Sequence, residues 1–306
     1  MAAGKLPKIT DEKELQIWTC WNPETATELV KWHHFTPDDE AYIGKSHQGR
    51  FEITLDEFAA GLRRISDDAI FPEVPAGTQI TTAPNNLDGA AVYIKRSGLK
   101  RYGMLKGDDC GAKEQMLGEA LVMEKISKTP HPYIVRYHGC RVHRGRITGI
   151  VLEKLGDTLN NYAYCEPDED EPRSRFEQID KEAFLAGVES AIKFLHSLGL
   201  AHNDISPYNI LVREAGDGSC MPVLIDFDSC GPFGGQLLSL GTAGFFDAED
   251  KECGISHKKH DEFALKRLSE WWDKEHSSET HPFLGAIMEE AKKKQEDLEG
   301  SEDEKE

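Results

Sequence analysis

No run of about 18 apolar residues occurs in this 306-residue sequence, so neither a membrane-spanning helix nor a membrane partner is expected. The opening MAAGKLPKIT lacks the apolar stretch of a secretory signal. No cysteines are spaced C-x-x-C; the seven present (Cys20, Cys110, Cys140, Cys165, Cys220, Cys230, Cys253) are scattered and odd in number. That spacing argues against a disulfide framework and against a zinc cluster, and implies a reduced protein of the cytoplasm, with the nucleus also open. There is no basic patch interleaved with aromatics, so nucleic acid is not an expected partner. No internal repeat is present.

The formal net charge of −19 is concentrated rather than spread. More than half of it lies in two short segments, 166–171 and 296–306. Runs of like charge repel themselves and stay solvated, so a loop and a disordered tail (291–306) are expected there.

The pattern along the rest of the chain is that of mixed α and β elements. Residues 1–79 hold Trp18, Trp21 and Trp32, best read as packing residues of a small accessory element, followed by a helical-looking LDEFAAGLRRI (55–65) and a Pro/Gly-rich connector EVPAG (73–77). AAVYIKR (90–96) alternates like a strand, and EQMLGEALVMEKI (114–126) has helical spacing. The clearest helix runs over 180–198: Phe184, Val188, Ala191, Ile192 and Leu195 form one stripe, Asp180 can cap the start, and Gly199 fits the position beyond the end. NILV (209–212) and PVLIDF (222–227), joined by EAGDGSC, read as a hairpin. His33-His34 lack a second pair at ligand spacing and are read as packed or surface histidines.

The chemistry-bearing segment is AHNDISPYNILV (201–212), followed by VLIDFDS (223–229). Asp204 and Asn209 lie on a loop between the long helix and the hairpin, and Asp226 ends the hairpin's second strand. Phosphoryl transfer uses such a set: a carboxylate to orient the acceptor hydroxyl and oxygen ligands for Mg²⁺. An aspartate directly after VLI is costly to bury without a cation or hydrogen bonds. Taken singly, these residues are equally readable as turn formers and a strand-ending acid. Together they make a pattern.

That pattern, H-x-D-x-x-x-x-N and then D-F, resembles the catalytic loop and metal motif of protein kinases. The resemblance spans about residues 80–275. HPYIVRYHGC (131–140) is similar to the segment after the kinase regulatory helix, GIVLEKLGDTL (149–159) to the hinge between lobes, and GTAGFFDAE (241–249) to the end of an activation segment. The wording of YIKR, HPYIVRYHGC, RITGIVLE and HNDISPYNIL is similar to that of divergent kinase-like proteins of filamentous fungi. The resemblance implies an α+β, two-lobed fold with a strand-rich small lobe (80–155) and a shortened helical large lobe (156–290), together a kinase-like domain at 80–290. It implies ATP and Mg²⁺ as cofactors and a protein as substrate or partner. By its pattern Lys95 grips the α- and β-phosphates while paired with Glu119, Asn209 and Asp226 hold Mg²⁺, and Asp204 takes the acceptor hydroxyl. Leu152 sits beside the adenine, Glu153 and Leu155 offer backbone groups to its edge, and Asp261 ties down the catalytic loop. Lys100 is a weaker rival to Lys95, and His202 is a buttress.

The sequence also departs from the family. The phosphate-covering G-x-G-x-x-G is missing from TTAPNNLDGA (81–90), which offers only Gly89. Tyr93 stands where a small residue usually lies beneath the adenine, and Ser206 where serine/threonine kinases carry a lysine. Asn203 replaces the arginine of the loop motif and Asp228 the glycine after Asp-Phe. Few residues follow Asp261. The principal expectation is an ATP-dependent serine/threonine protein kinase. A pseudokinase scaffold that holds nucleotide without turnover is the alternative, and a small-molecule kinase of choline-kinase or aminoglycoside-phosphotransferase type the second, suggested by His202-Asn203-Asp204 with Pro207.

Overall fold

The computed structural model describes residues 6–22, 27–100, 102, 111–164 and 175–277. Cys110, Cys165, the acidic segment 166–171 and the tail expected at 291–306 lie outside the described residues. The chain divides into two compact units, Met1–Ala120 with His138–Leu152, and Leu121–Tyr137 with Glu153–Glu306.

The first unit opens with an antiparallel sheet in the order β1 (Gln16–Asn22), β2 (Thr27–Phe35), β3 (Ala41–Ser46) and β4 (Arg63–Arg64). Between β3 and β4 lies the short helix α1 (Leu55–Ala60). Thr54 and Glu57 cap its start reciprocally, backbone N–H to side-chain oxygen in each direction. The helix expected over 55–65 stops at Gly61, because Arg63 and Arg64 are drawn into pairing with Ile43 and Tyr42. On one face of the sheet Val30, Trp32 and Tyr42 pack on Phe58 and Leu62. The Trp32 indole donates to the Phe58 carbonyl (3.0 Å) and meets the Phe58 ring edge-on at 4.8 Å. On the other face Phe35, Ala41 and Ile43 pack with Ile65, Ile70 and Phe71, the last two from α2 (Asp67–Ile70) and its C-cap. Trp18 is half-buried against His33, whereas Trp21 is exposed and not part of this core.

A second sheet of the same unit has the order β5 (Val92–Lys95), β7 (Arg146–Glu153), β6 (Tyr137–His143), and the helix α3 (Ala112–Ile126) follows β5 in the chain. One residue ties the two sheets together. Asp39, in the turn between β2 and β3, is fully buried and held at φ 60°. Its carboxylate pairs with Arg96 just beyond β5, with Arg141 Nε (3.1 Å) and His143 Nδ1 (3.1 Å) on β6, and accepts from Thr148 Oγ1 (2.6 Å) on β7. All three strands therefore converge on a single acid.

The segment before β5 follows the opposite edge of this sheet. Thr81–Ala83 run beside β6, with Cys140 N–H donating to Thr81 O (2.7 Å) and Ala83 N–H to Cys140 O (2.9 Å). Gly139, at φ 124°, permits this approach, since a Cβ there would lie 2.7 Å from the Ala83 nitrogen and the Thr81 oxygen. Among the described residues no strand pairs with the outer edge of β5.

The second unit is mainly helical: α4 (Leu159–Tyr164), α5 (Lys181–Ser197), β8 (Leu200–Ala201), the hairpin β9 (Ile210–Glu214) and β10 (Cys220–Leu224), β11 (Gly231–Pro232) and α6 (Lys258–Ser277). In α5 the Asp180 side chain accepts from Ala183 N–H (3.0 Å), Gly199 takes φ 71°, and the predicted stripe from Phe184 to Leu195 is buried. Trp271 and Trp272 of α6 are buried around Phe176, and Trp272 also meets Phe184 of α5.

Removing Asp39 leaves two guanidinium groups without their shared counter-charge. Asp39→Ala is therefore expected to lower stability by about 3–5 kcal/mol, read from urea unfolding. His33 supplies a second test. Burial first, then the charges at His34 and Lys100, pull its pKa from 6.5 to about 4. The unfolded chain takes up this proton at higher pH than the folded one, so stability is lost as pH falls from about 7 to 4 and not further below. The loss attributable to His33 is about 3 kcal/mol. Between pH 7 and pH 4 the wild type should lose more stability than His33→Phe by that amount, each read from urea unfolding at both pH values.

Candidate active site

In the second unit the loop that follows β8 is fixed by one buried carboxylate. Asp261, in the first turn of α6, accepts from His202 N–H (2.9 Å), Asn203 N–H (2.8 Å) and His196 Nε2 (2.9 Å). Asn203 is buried at φ 62°, a strained setting for a non-glycine residue. Its Nδ2 donates to Ala201 O, Ser229 O and Ser256 Oγ, and its Oδ1 accepts from His257 N–H and His260 Nδ1. Where the family pattern has an arginine, this chain thus has an amide fully engaged in holding the loop.

Held in this way, Asp204 points its carboxylate into a set of donors. Oδ1 accepts from Thr242 N–H (2.6 Å) and Thr242 Oγ1 (2.7 Å), and Oδ2 from Asn209 Nδ2 (2.8 Å). Ser206 Oγ lies 3.2 Å from Thr242 Oγ1. Gly241 makes the closeness possible, since a Cβ there would stand 2.8 Å from the Asn203 carbonyl. Thr242 falls inside GTAGFFDAE, yet its contact with Asp204 was not legible from the motif; the signal was a hydroxyl residue directly after a glycine.

Asp226 is placed by its predecessor. Ile225 donates its N–H to the Asn209 carbonyl (3.0 Å) and accepts from His202 Nε2 (3.1 Å), so His202 carries its proton on Nε2 and buttresses the strand end. Its ring also lies 4.9 Å from that of Phe227. Asp226 itself adopts φ 63°, the second strained non-glycine residue here. Asp204, Asn209 and Asp226 are thereby brought together in one unit by backbone and side-chain bonds that run through His202 and Ile225.

Glu153 and Leu155 belong to the same unit. The Glu153 N–H is already donated to the Arg136 carbonyl (2.9 Å), so of its two backbone groups only the carbonyl can serve an adenine edge. Its carboxylate bridges Arg213 (2.7 Å) and the Arg136 N–H (2.8 Å). Leu155 has no backbone hydrogen bond among the described residues, so both its groups remain to serve one.

In the first unit, Lys95 Nζ lies 2.6 Å from Glu119 Oε2, with the glutamate buried on α3. Gly149 of β7 faces β5 here. Lys100 is exposed and does not make this pair. Tyr93 is 54% exposed rather than packed into the core.

The donor chemistry suits a hard cation. Both hydrogen bonds of the Asn209 side chain use Nδ2, which turns Oδ1 the other way, and Asp226 supplies carboxylate oxygens. Among the described residues no group of three or more His, Cys, Asp or Glu forms a cage of its own. Two protein oxygens completed by phosphate oxygens and water are what Mg²⁺ accepts.

A strand-rich unit with a paired lysine and glutamate, and a helical unit with this loop, define a protein-kinase-like protein. The model of the protein kinase domain matches residues 79–245, more than half of the chain, and the chain belongs to that family. It is 30% identical over 151 residues to serine/threonine-protein kinase DCLK1 of Rattus norvegicus, covering 48% of this chain and 32% of that one. To serine/threonine-protein kinase ATG1 of Chaetomium globosum it is 26% identical over 208 residues (59% and 21%). To the serine/threonine-protein kinase/endoribonuclease IRE1 of Hypocrea jecorina it is 29% identical over 159 residues (50% and 11%). The chain spans a third or less of the length of each of these relatives.

Asp261→Ala removes the acceptor of two buried hydrogen bonds and one part-buried one. It should lower stability by about 3 kcal/mol and speed amide exchange at His202 and Asn203, measured by hydrogen–deuterium exchange.

Proposed function

We propose that this chain is an ATP-dependent protein kinase that transfers the γ-phosphate to a serine or threonine hydroxyl of a protein. The observation that carries the reading is the Asp204–Asn209–Thr242 cluster, a carboxylate held by three donors beside an amide whose oxygen is turned outward. Asp204 orients the acceptor hydroxyl and receives its proton. Asn209 and Asp226 hold Mg²⁺, which neutralises charge on the transferring phosphoryl group. Lys95, kept extended by Glu119, holds the α- and β-phosphates. The Glu153 carbonyl and the Leu155 backbone groups meet the adenine edge. Among the described residues the five cysteines form no disulfide with one another, which suits a reducing compartment such as the cytoplasm.

A second reading, a nucleotide-holding pseudokinase, is favoured by the path of Thr81–Ala83 along β6, which leaves β5 without a glycine-rich hairpin among the described residues. Ser206 adds to it, because a hydroxyl in place of an ammonium gives no charge to the transition state. The Asp204→Asn variant separates the two. On the kinase reading it loses transfer by about 10³-fold or more, while ATP affinity stays within about twofold. An unchanged transfer rate would remove Asp204 from the mechanism. Asp226→Ala should abolish the Mg²⁺ dependence of ATP binding in calorimetry, and an affinity equal to wild type would sink the metal assignment.

A further inference from the structure

The first sheet places like charges opposite one another. In the β2–β3 register Lys31 faces Lys45 directly, and Arg63 of β4 is the partner of Ile43, two residues from Lys45 on the same strand face. Cross-strand like charges destabilise a sheet, so this arrangement needs another reason. Lys31 is 3% exposed, yet its ammonium has a single partner among the described residues, the Tyr102 carbonyl at 3.2 Å. An ammonium has three donors, and two of these are unspent. No carboxylate among the described residues pairs with Lys31, Lys45 or Arg63, whereas neighbouring Arg64 is neutralised by Glu40 and Asp67. Burying an ammonium without a carboxylate is costly, and here burial lowers the Lys31 pKa, opposed by Cys20 and reinforced by Lys45.

The three cations line a pocket of about 320 Å³ together with Ile43, Gly44, Ile65 and Tyr102 and with Arg64, whose charge is already answered by Glu40 and Asp67. Lys31 lies buried in it, while Lys45 and Arg63 are exposed. We propose that this pocket is a binding site for a phosphate monoester, namely the phosphorylated serine or threonine side chain of a protein. Three cations without a carboxylate partner among the described residues match a group that carries about −1.5 to −2 at neutral pH and three acceptor oxygens. A carboxylate would leave most of that charge unanswered. The guanidinium of Arg63 supplies a planar fork for two phosphate oxygens, and the Lys31 ammonium a point charge at the base. A nucleic acid would need a basic track with stacking aromatics, and this is a single half-open pocket with one tyrosine. The site uses none of the residues assigned to phosphoryl transfer, so it stands whether or not the chain is an active kinase.

The test is calorimetry on the full chain with a short phosphoserine peptide, its unphosphorylated counterpart and inorganic phosphate. Lys45→Ala/Arg63→Ala removes two exposed side chains and leaves the fold intact; Lys31→Met tests the buried base. The proposal predicts that the phosphopeptide binds with one-to-one stoichiometry, that inorganic phosphate competes, and that the double variant weakens both at least tenfold while Asp226→Ala does not. The unphosphorylated peptide should not bind. Undiminished binding by the double variant, loss of binding in Asp226→Ala instead, or phosphate binding that the phosphopeptide cannot share would each overturn it.

Discussion

The buried carboxylate of Asp261 is the constraint on which the site depends. It accepts two consecutive backbone N–H groups, those of His202 and Asn203, and a histidine from α5. Directly after the second of these amides Asn203 takes its positive φ, a bend that turns the chain. The next residue is Asp204. Its direction follows from that bend and is completed by Thr242 and Asn209. The same loop carries His202, whose ring fixes Ile225 and so the start of the Asp226 turn. One hydrogen-bonded acid thus propagates, through covalent neighbours, to all three residues proposed to act on phosphate. A fully buried charge is tolerable because each of its partners donates to it.

A parallel logic holds the first unit. Asp39 draws Arg96, Arg141, His143 and Thr148 onto a single carboxylate, and these side chains come from β5 and its end, from β6 and from β7. The accessory sheet is therefore fastened to the strands that carry Lys95. The route taken by Thr81–Ala83 along β6 belongs to the same arrangement. Chain that would otherwise be available to cover β5 is committed to the opposite edge. This is the physical form of the missing glycine-rich motif, and it defines what an active enzyme of this kind must do without.

What the sequence made legible, and what it hid, follows from how each signal is written. The α5 helix was readable because it buries one stripe and has distinct caps at Asp180 and Gly199. The β9–β10 hairpin was readable from its turn chemistry. The four-stranded sheet was not, because β2 is covered on both faces and Leu29 to His33 are all buried, which erases the alternation of a half-exposed strand. Asp39 was hidden because TPDDE reads as an ordinary solvated turn. In the site, Asp204, Asn209 and Asp226 lie close in sequence and their spacing was informative. The Lys95–Glu119 pair needed the family pattern as well as the apolar neighbours of Glu119. The spent Glu153 N–H and the Thr242 contact depend on tertiary hydrogen bonds that no local pattern encodes. Lys31 offered a faint signal, a lysine inside an otherwise apolar run.

The measurement that tests the central claim most directly is calorimetric titration of the wild-type chain with ATP, with Mg²⁺ and then with chelator, followed by a γ-phosphate transfer assay on the same sample with a protein acceptor. The account predicts one nucleotide bound per chain, an affinity that depends on Mg²⁺, and phosphate incorporated into serine or threonine. Absence of nucleotide binding, or binding that ignores Mg²⁺ and yields no transfer, would contradict it.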